Sequence, residues 1–126
     1  MALIRATSGS GGSGGSNTFL LFYGRGERVG DSFLYKDTNY DSYLSDAYNV
    51  RYQRDFTFLK HVKGILICGP YTASVTTSGV TLTQIINDSG GPNYIYEFEA
   101  NINDILYVKN GGSTAFVCEI FITEEL

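Results

Sequence analysis

The sequence predicts an all-β protein, an antiparallel β-sandwich or jelly-roll-like head preceded by an extended N-terminal peptide. Three observations carry that prediction. Short runs of apolar residues alternate with polar ones, as in residues 94–100 (YIYEFEA) and 56–58 (FTF). Turn residues separate these runs at short intervals. Apolar positions at helical spacing occur in one place alone, and there they span barely two turns. A chain of 126 residues with 43% apolar and 17% charged residues is long enough for one core and too apolar for disorder.

Residues 1–7 form a short peptide with an apolar stretch, Leu3 and Ile4, followed by Arg5. Residues 8–16 read SGSGGSGGS, a flexible tether. Its root-mean-square span is roughly 15–18 Å, and its extended length roughly 30 Å. The tether has two readings, a natural spacer or an engineered linker. Leu3 and Ile4 favour the first, because a docking peptide can add to the edge of a partner's sheet. The head then occupies residues 17–126.

Within the head, residues 18–23 (TFLLFY) make a first strand, closed by Gly24 and Gly26, and Phe33, Leu34 and Tyr35 a second. Residues 36–48 turn polar and Tyr-rich. Tyr40, Tyr43, Leu44, Ala47 and Tyr48 follow helical spacing, which predicts a long loop with one or two helical turns. Tyr48, Val50 and Tyr52 then alternate, and Gln53, Arg54 and Asp55 are read as a turn before Phe56 and Phe58. Ile65, Leu66, Ile67 and Cys68 form a continuous apolar run, stopped at Gly69 and Pro70. Residues 74–86 are rich in Thr and Val, as strands are. A loop follows at 88–92, a strand at 94–100, a turn at 101–104, a strand at 105–109, a hairpin loop at 110–113 and a last strand at 114–123. Seven to nine short strands in this order suit a sandwich or jelly roll.

Composition excludes several function classes. Nine Lys and Arg, outnumbered by thirteen Asp and Glu, leave a net charge of −4. That balance argues against nucleic acid and against anionic membranes as partners. No apolar run approaches the length of a membrane span. Cys68 and Cys118 sit in apolar runs and read first as buried thiols, with a cross-strand disulfide as the alternative. One histidine, His61, and no paired-cysteine motif leave no expected metal site and no cofactor.

Catalytic motifs are absent by the same inspection, so no catalytic residue is assigned and no enzyme activity is expected. His61 has no Ser or Cys motif beside it, and Glu97 and Glu99 share the polar side of an alternating strand. Gly24, Gly26 and Gly30 miss the dinucleotide-loop spacing. Asp37, Asn39 and Asp41 match the opening of an EF-hand loop, but Ser42 and Tyr48 stand where Gly and Glu are required. The remaining candidate is a ligand site of Tyr35, Asp37, Asn39, Tyr40, Asp41, Tyr43 and Tyr48, since aromatic faces with Asp and Asn suit sugars. The same tyrosines would equally cover one end of the sandwich or fill a subunit interface.

The order of peptide, tether and head resembles small appendage proteins of tailed bacteriophages: head fibres, tail fibres and capsid decoration proteins. Residues 52–58 (YQRDFTF) and 103–116 (NDILYVKNGGSTAF) are similar to strand–turn–strand segments of their jelly-roll heads. The resemblance implies a virion structural protein assembled in the host cytoplasm. It would be anchored on capsid or tail proteins through Leu3, Ile4 and Arg5, trimeric, and able to contact host-surface glycans. The alternative is a cellular carbohydrate- or protein-binding module carrying an engineered linker.

Overall fold

Ten strands and one helical turn make up the described part of the chain. In the computed structural model the described residues are 18–50, 52–70, 73–87, 93–112 and 115–126. The anchor peptide, the tether and the 88–92 loop lie outside them. The strands are β1 (Phe19–Arg25), β2 (Phe33–Lys36), β3 (Leu44–Val50), β4 (Gln53–Phe58), β5 (Val62–Gly69), β6 (Ala73–Ser78), β7 (Thr81–Asn87), β8 (Tyr94–Ala100), β9 (Ile105–Asn110) and β10 (Val117–Glu125). The turn of helix, α1, covers Tyr40–Tyr43.

All pairing is antiparallel and falls into two sheets, ordered β2-β1-β10-β5-β8-β7 and β3-β4-β9-β6. Three long-range pairs are nested, β1 with β10, β4 with β9 and β5 with β8, and the pairs β5–β10 and β6–β9 join them side by side within the two sheets. A long hairpin rolled on itself gives this order, so the sandwich has jelly-roll-like connectivity.

The core lies between the sheets, where Phe22, Leu66, Cys118 and Ile120 of the larger sheet meet Phe56, Phe58, Leu106 and Val108 of the smaller. Phe22 and Phe56 contact edge to face, centroids 4.8 Å apart, and Phe58 packs on Phe98 at 5.3 Å. Each fully buried Phe contributes about 2–3 kcal/mol of transfer free energy, the largest unit terms in this core.

Three elements depart from the sequence reading. The helical spacing from Tyr40 holds only to Tyr43, and Leu44–Val50 is a strand. Backbone pairing of β3 with β4 claims those residues, overriding the spacing. The turn expected at Gln53, Arg54 and Asp55 comes earlier, at Tyr52 (φ 66°), and the three polar residues belong to β4. The Thr-rich stretch read as one strand is two, β6 and β7. They are divided at Gly79, whose φ of +91° and contact with the Asp104 carboxylate leave no room for a side chain.

Candidate functional site: the outer face of the six-stranded sheet

Of the residues proposed from sequence as a ligand site, Tyr35, Asp37 and Asn39 lie together on the surface, the Tyr35 hydroxyl donating to Asp37 at 3.5 Å, while Tyr40 and Tyr43 turn elsewhere. Tyr40 turns into the core beside Phe22 and donates its hydroxyl to Asp46. Burial, together with the Asp46 carboxylate, drives the Tyr40 phenol far above its ordinary pKa. Tyr43 is half-buried, stacks edge-on to Phe19 at 5.6 Å and donates to Glu125 at 3.1 Å. Lys60 lies over the Tyr43 ring at 4.6 Å. Asp37 accepts the Asn39 amide at 2.9 Å, a local turn bond, and Asp41 is exposed on α1. Tyr35 belongs to β2 at the edge of the larger sheet, and the Tyr48 side chain lies outside what is described. His61 meets Glu99 at 2.9 Å on the surface. Among the described residues no group of three His, Cys, Asp or Glu could hold a metal. No helix among them is long and apolar enough to cross a membrane.

What the fold does assemble is an apolar outer face on the six-stranded sheet, turned away from the core. Strand alternation sends Gly64, Leu66 and Cys68 of β5 inward and leaves Ile65 and Ile67 outward. Ile65 is opposite Phe121 of β10, which is opposite Leu20 of β1. Ile67 is opposite Ile95 of β8 and Glu119 of β10, and Glu119 is opposite Tyr23. Ile65, Ile67, Ile95 and Phe121 form a second apolar cluster separate from the core, with Leu20 packed against it.

This face has two grooves. One, of about 420 Å³, lies on the β1–β2 side between Leu20, Tyr23, Arg25, Phe33 and Tyr35. There Phe33 is 57% exposed and Tyr35 41%, an unusual display for rings of that size. Tyr23 and Phe33 meet edge to face at 5.7 Å. The other groove, of about 410 Å³, lies over β5, β7 and β8, with Lys63, Thr83, Glu97 and Glu99 among its walls. Glu119 is half-buried between them, and burial raises its carboxyl pKa. The site is thus aromatic and cationic at one side, apolar along the middle and acidic at the other.

Sequence reasoning missed this face. The signal was present in the unbroken run from Ile65 to Cys68, since a strand apolar at successive positions is buried on both sides.

The two cysteines face each other across β5 and β10 in the inward direction, and both are free and buried. Burial pushes the Cys68 thiol up to about 12 and holds Cys118 well above its usual value. The native protein is therefore expected to resist a maleimide at neutral pH, both thiols reacting only in denaturant. Rapid labelling of the native chain would contradict that burial.

Comparison with protein-family models, with curated proteins and with solved structures gives no match.

Proposed function

We propose that this protein is a structural appendage of a virion. In this reading residues 1–7 dock on another virion protein through Leu3, Ile4 and Arg5. The Gly/Ser tether spaces the head away, and the head assembles as a homotrimer able to contact host-surface glycans. The observation that supports it best is the exposed aromatic edge of the larger sheet, where Phe33 and Tyr35 stand beside Leu20 and Tyr23. Rings so displayed serve assembly or recognition, and their area gains most when another surface covers them.

The same groove, two rings with Arg25 alongside, would also serve the second reading, a cellular carbohydrate- or protein-binding module. Removing residues 1–16 separates the two. The appendage reading expects the truncated head to fold and to be left out of assembled particles, whereas incorporation at the wild-type level refutes it. Light scattering on the full chain is expected to give a trimer mass, and Phe33→Ser with Tyr35→Ser to lower it. A monomer at micromolar concentration counts against the assembled head.

A further inference from the structure

The outer face of the four-stranded sheet is polar where that of the larger sheet is apolar. Alternation sends Arg54, Phe56 and Phe58 of β4 inward and leaves Gln53, Asp55 and Thr57 outward. Asp55 stands directly opposite Ala47 of β3 and Tyr107 of β9, and Thr57 opposite Ser45 and Ile105. Opposite Cβ atoms in an antiparallel pair lie about 4.5–5.5 Å apart, so these side chains converge on one patch. Between them is a groove of about 210 Å³, room for a single sugar ring.

Asp55 has no evident structural task there. Aspartate is a poor strand former, yet this one occupies a central strand with 7% of its surface exposed. The buried carboxylate of Asp46, by contrast, is met by two cations, Lys36 and Arg54. Asp55 has no ion pair among the described residues. Gln53 donates to one of its oxygens at 2.8 Å and fixes the carboxylate, and no described residue donates to the other. Among the described residues no fully buried side-chain oxygen lacks a partner, so that second oxygen opens to the groove. Tyr107 beside it is half-buried and engages neither another ring nor a hydrogen bond among the described residues.

We propose that this groove binds a pyranose sugar. The open Asp55 oxygen accepts a hydrogen bond from a sugar hydroxyl, a charge-assisted bond stronger than a neutral one. The Tyr107 ring covers the apolar C–H face of the sugar. The hydroxyls of Ser45 and Thr57, able both to donate and to accept, meet the remaining sugar hydroxyls. The inference deepens the appendage reading by giving its glycan contact a place, and it rests on that reading for the source of the sugar, the host surface. Phe33 and Tyr35 belong to the other sheet, so assembly and sugar binding do not compete for one face.

Titrating the isotope-labelled full chain with the methyl glycosides of glucose, galactose, mannose and N-acetylglucosamine tests this. At least one is expected to give saturable amide shifts at Ala47, Asp55, Thr57 and Tyr107, while Thr81 and Thr83 of the other sheet stay unmoved. Asp55→Asn keeps the size and an oxygen for Gln53, and should weaken that glycoside about ten-fold or more. Tyr107→Phe should bind as the wild type does, and Tyr107→Ala several-fold more weakly. Ala47→Trp keeps the test independent of any role of Asp55 in folding. Ala47 is exposed on the edge strand β3, so the added indole fills the groove without entering the core and should abolish the shifts. No saturable shift with any of these glycosides overturns the proposal, and so do shifts that persist in Ala47→Trp. Ethylammonium chloride is the control for a cation site. If it moves the same amides at lower concentration than every glycoside, the groove takes an amine and the proposal is overturned. Incorporation into particles is measured separately, so the sugar site and the appendage reading can each fail without the other.

Discussion

Replacing Arg54 by alanine is expected to destabilise the head by about 3–5 kcal/mol, the cost of stranding a buried charge. Arg54 stands on β4 with its side chain 7% exposed, and it ties three elements together. Its guanidinium pairs with Asp46 of β3, whose side chain is 5% exposed. Its Nε donates to the Val29 carbonyl at 2.8 Å, and its plane lies 5.5 Å from the Phe22 ring. Val29 is fully buried at φ 54°, a conformation that a β-branched residue adopts only under constraint. Arg54 thereby fastens the β1–β2 loop to the opposite sheet, and Asn110 adds a bond to the Glu27 carbonyl at 2.9 Å.

Without the guanidinium, Asp46 keeps Lys36 at 3.0 Å and the Tyr40 hydroxyl, but loses its buried counter-charge. Burial alone would raise the Asp46 carboxyl. Tyr40, Lys36 and Arg54 outweigh it and hold the group below the usual carboxylate range. A carboxyl depressed in the folded state contributes stability above its unfolded value, near 4, and loses it as pH falls through the folded value. Acid unfolding of the wild type should therefore show this carboxylate's contribution below about pH 4. The Arg54→Ala variant should show less of that dependence while being weaker at neutral pH. Chemical denaturation at pH 7 and pH 3 measures both, and a loss at pH 7 below about 1 kcal/mol would mean the pair is not the staple inferred here.

Arg54 also shows why parts of the fold were hidden in the sequence. Gln53, Arg54 and Asp55 are three consecutive polar residues, which as a string read as a turn. In the fold Arg54 and Asp55 are buried, because Asp46 and the Val29 carbonyl satisfy the first and Gln53 bonds the second at 2.8 Å. Partners that lie 8 and 25 residues away carry no local signature. The strands from Tyr94 onward were legible because their alternation is regular and their turns rest on Gly and Asn. The β6–β7 break was not, since Ser and Thr continue on both sides of Gly79 and Val80. The candidate site divides similarly. Tyrosine content alone could not say that Tyr40 turns inward while Tyr35 stands exposed at the edge of the larger sheet. The run from Ile65 to Cys68 carried the signal of a second apolar face, which the reading of the string as one buried strand passed over.

The second large effect is expected at Gly64, where alanine should cost roughly 3 kcal/mol or more through overpacking. Glycine is a poor strand former, and one at the centre of a sheet marks a close approach of something else. Here β5 pairs on both sides, Gly64 opposite Ile122 of β10 and Phe98 of β8. A Cβ built on Gly64 would lie 2.2 Å from the Phe121 carbonyl oxygen and 2.4 Å from Cζ of Phe98. The ring could swing away, at the expense of its packing on Phe58. The carbonyl cannot move without shifting β10 itself. These two obstacles predict a graded result. In the Phe98→Leu background the penalty of Gly64→Ala should shrink but not vanish, since the ring is relieved and the backbone is not. Thermal or urea unfolding of the two single variants and the double closes the cycle. Full rescue would place the whole conflict in the side chain, and no penalty in either background would mean that β5 and β10 lie farther apart than their register implies.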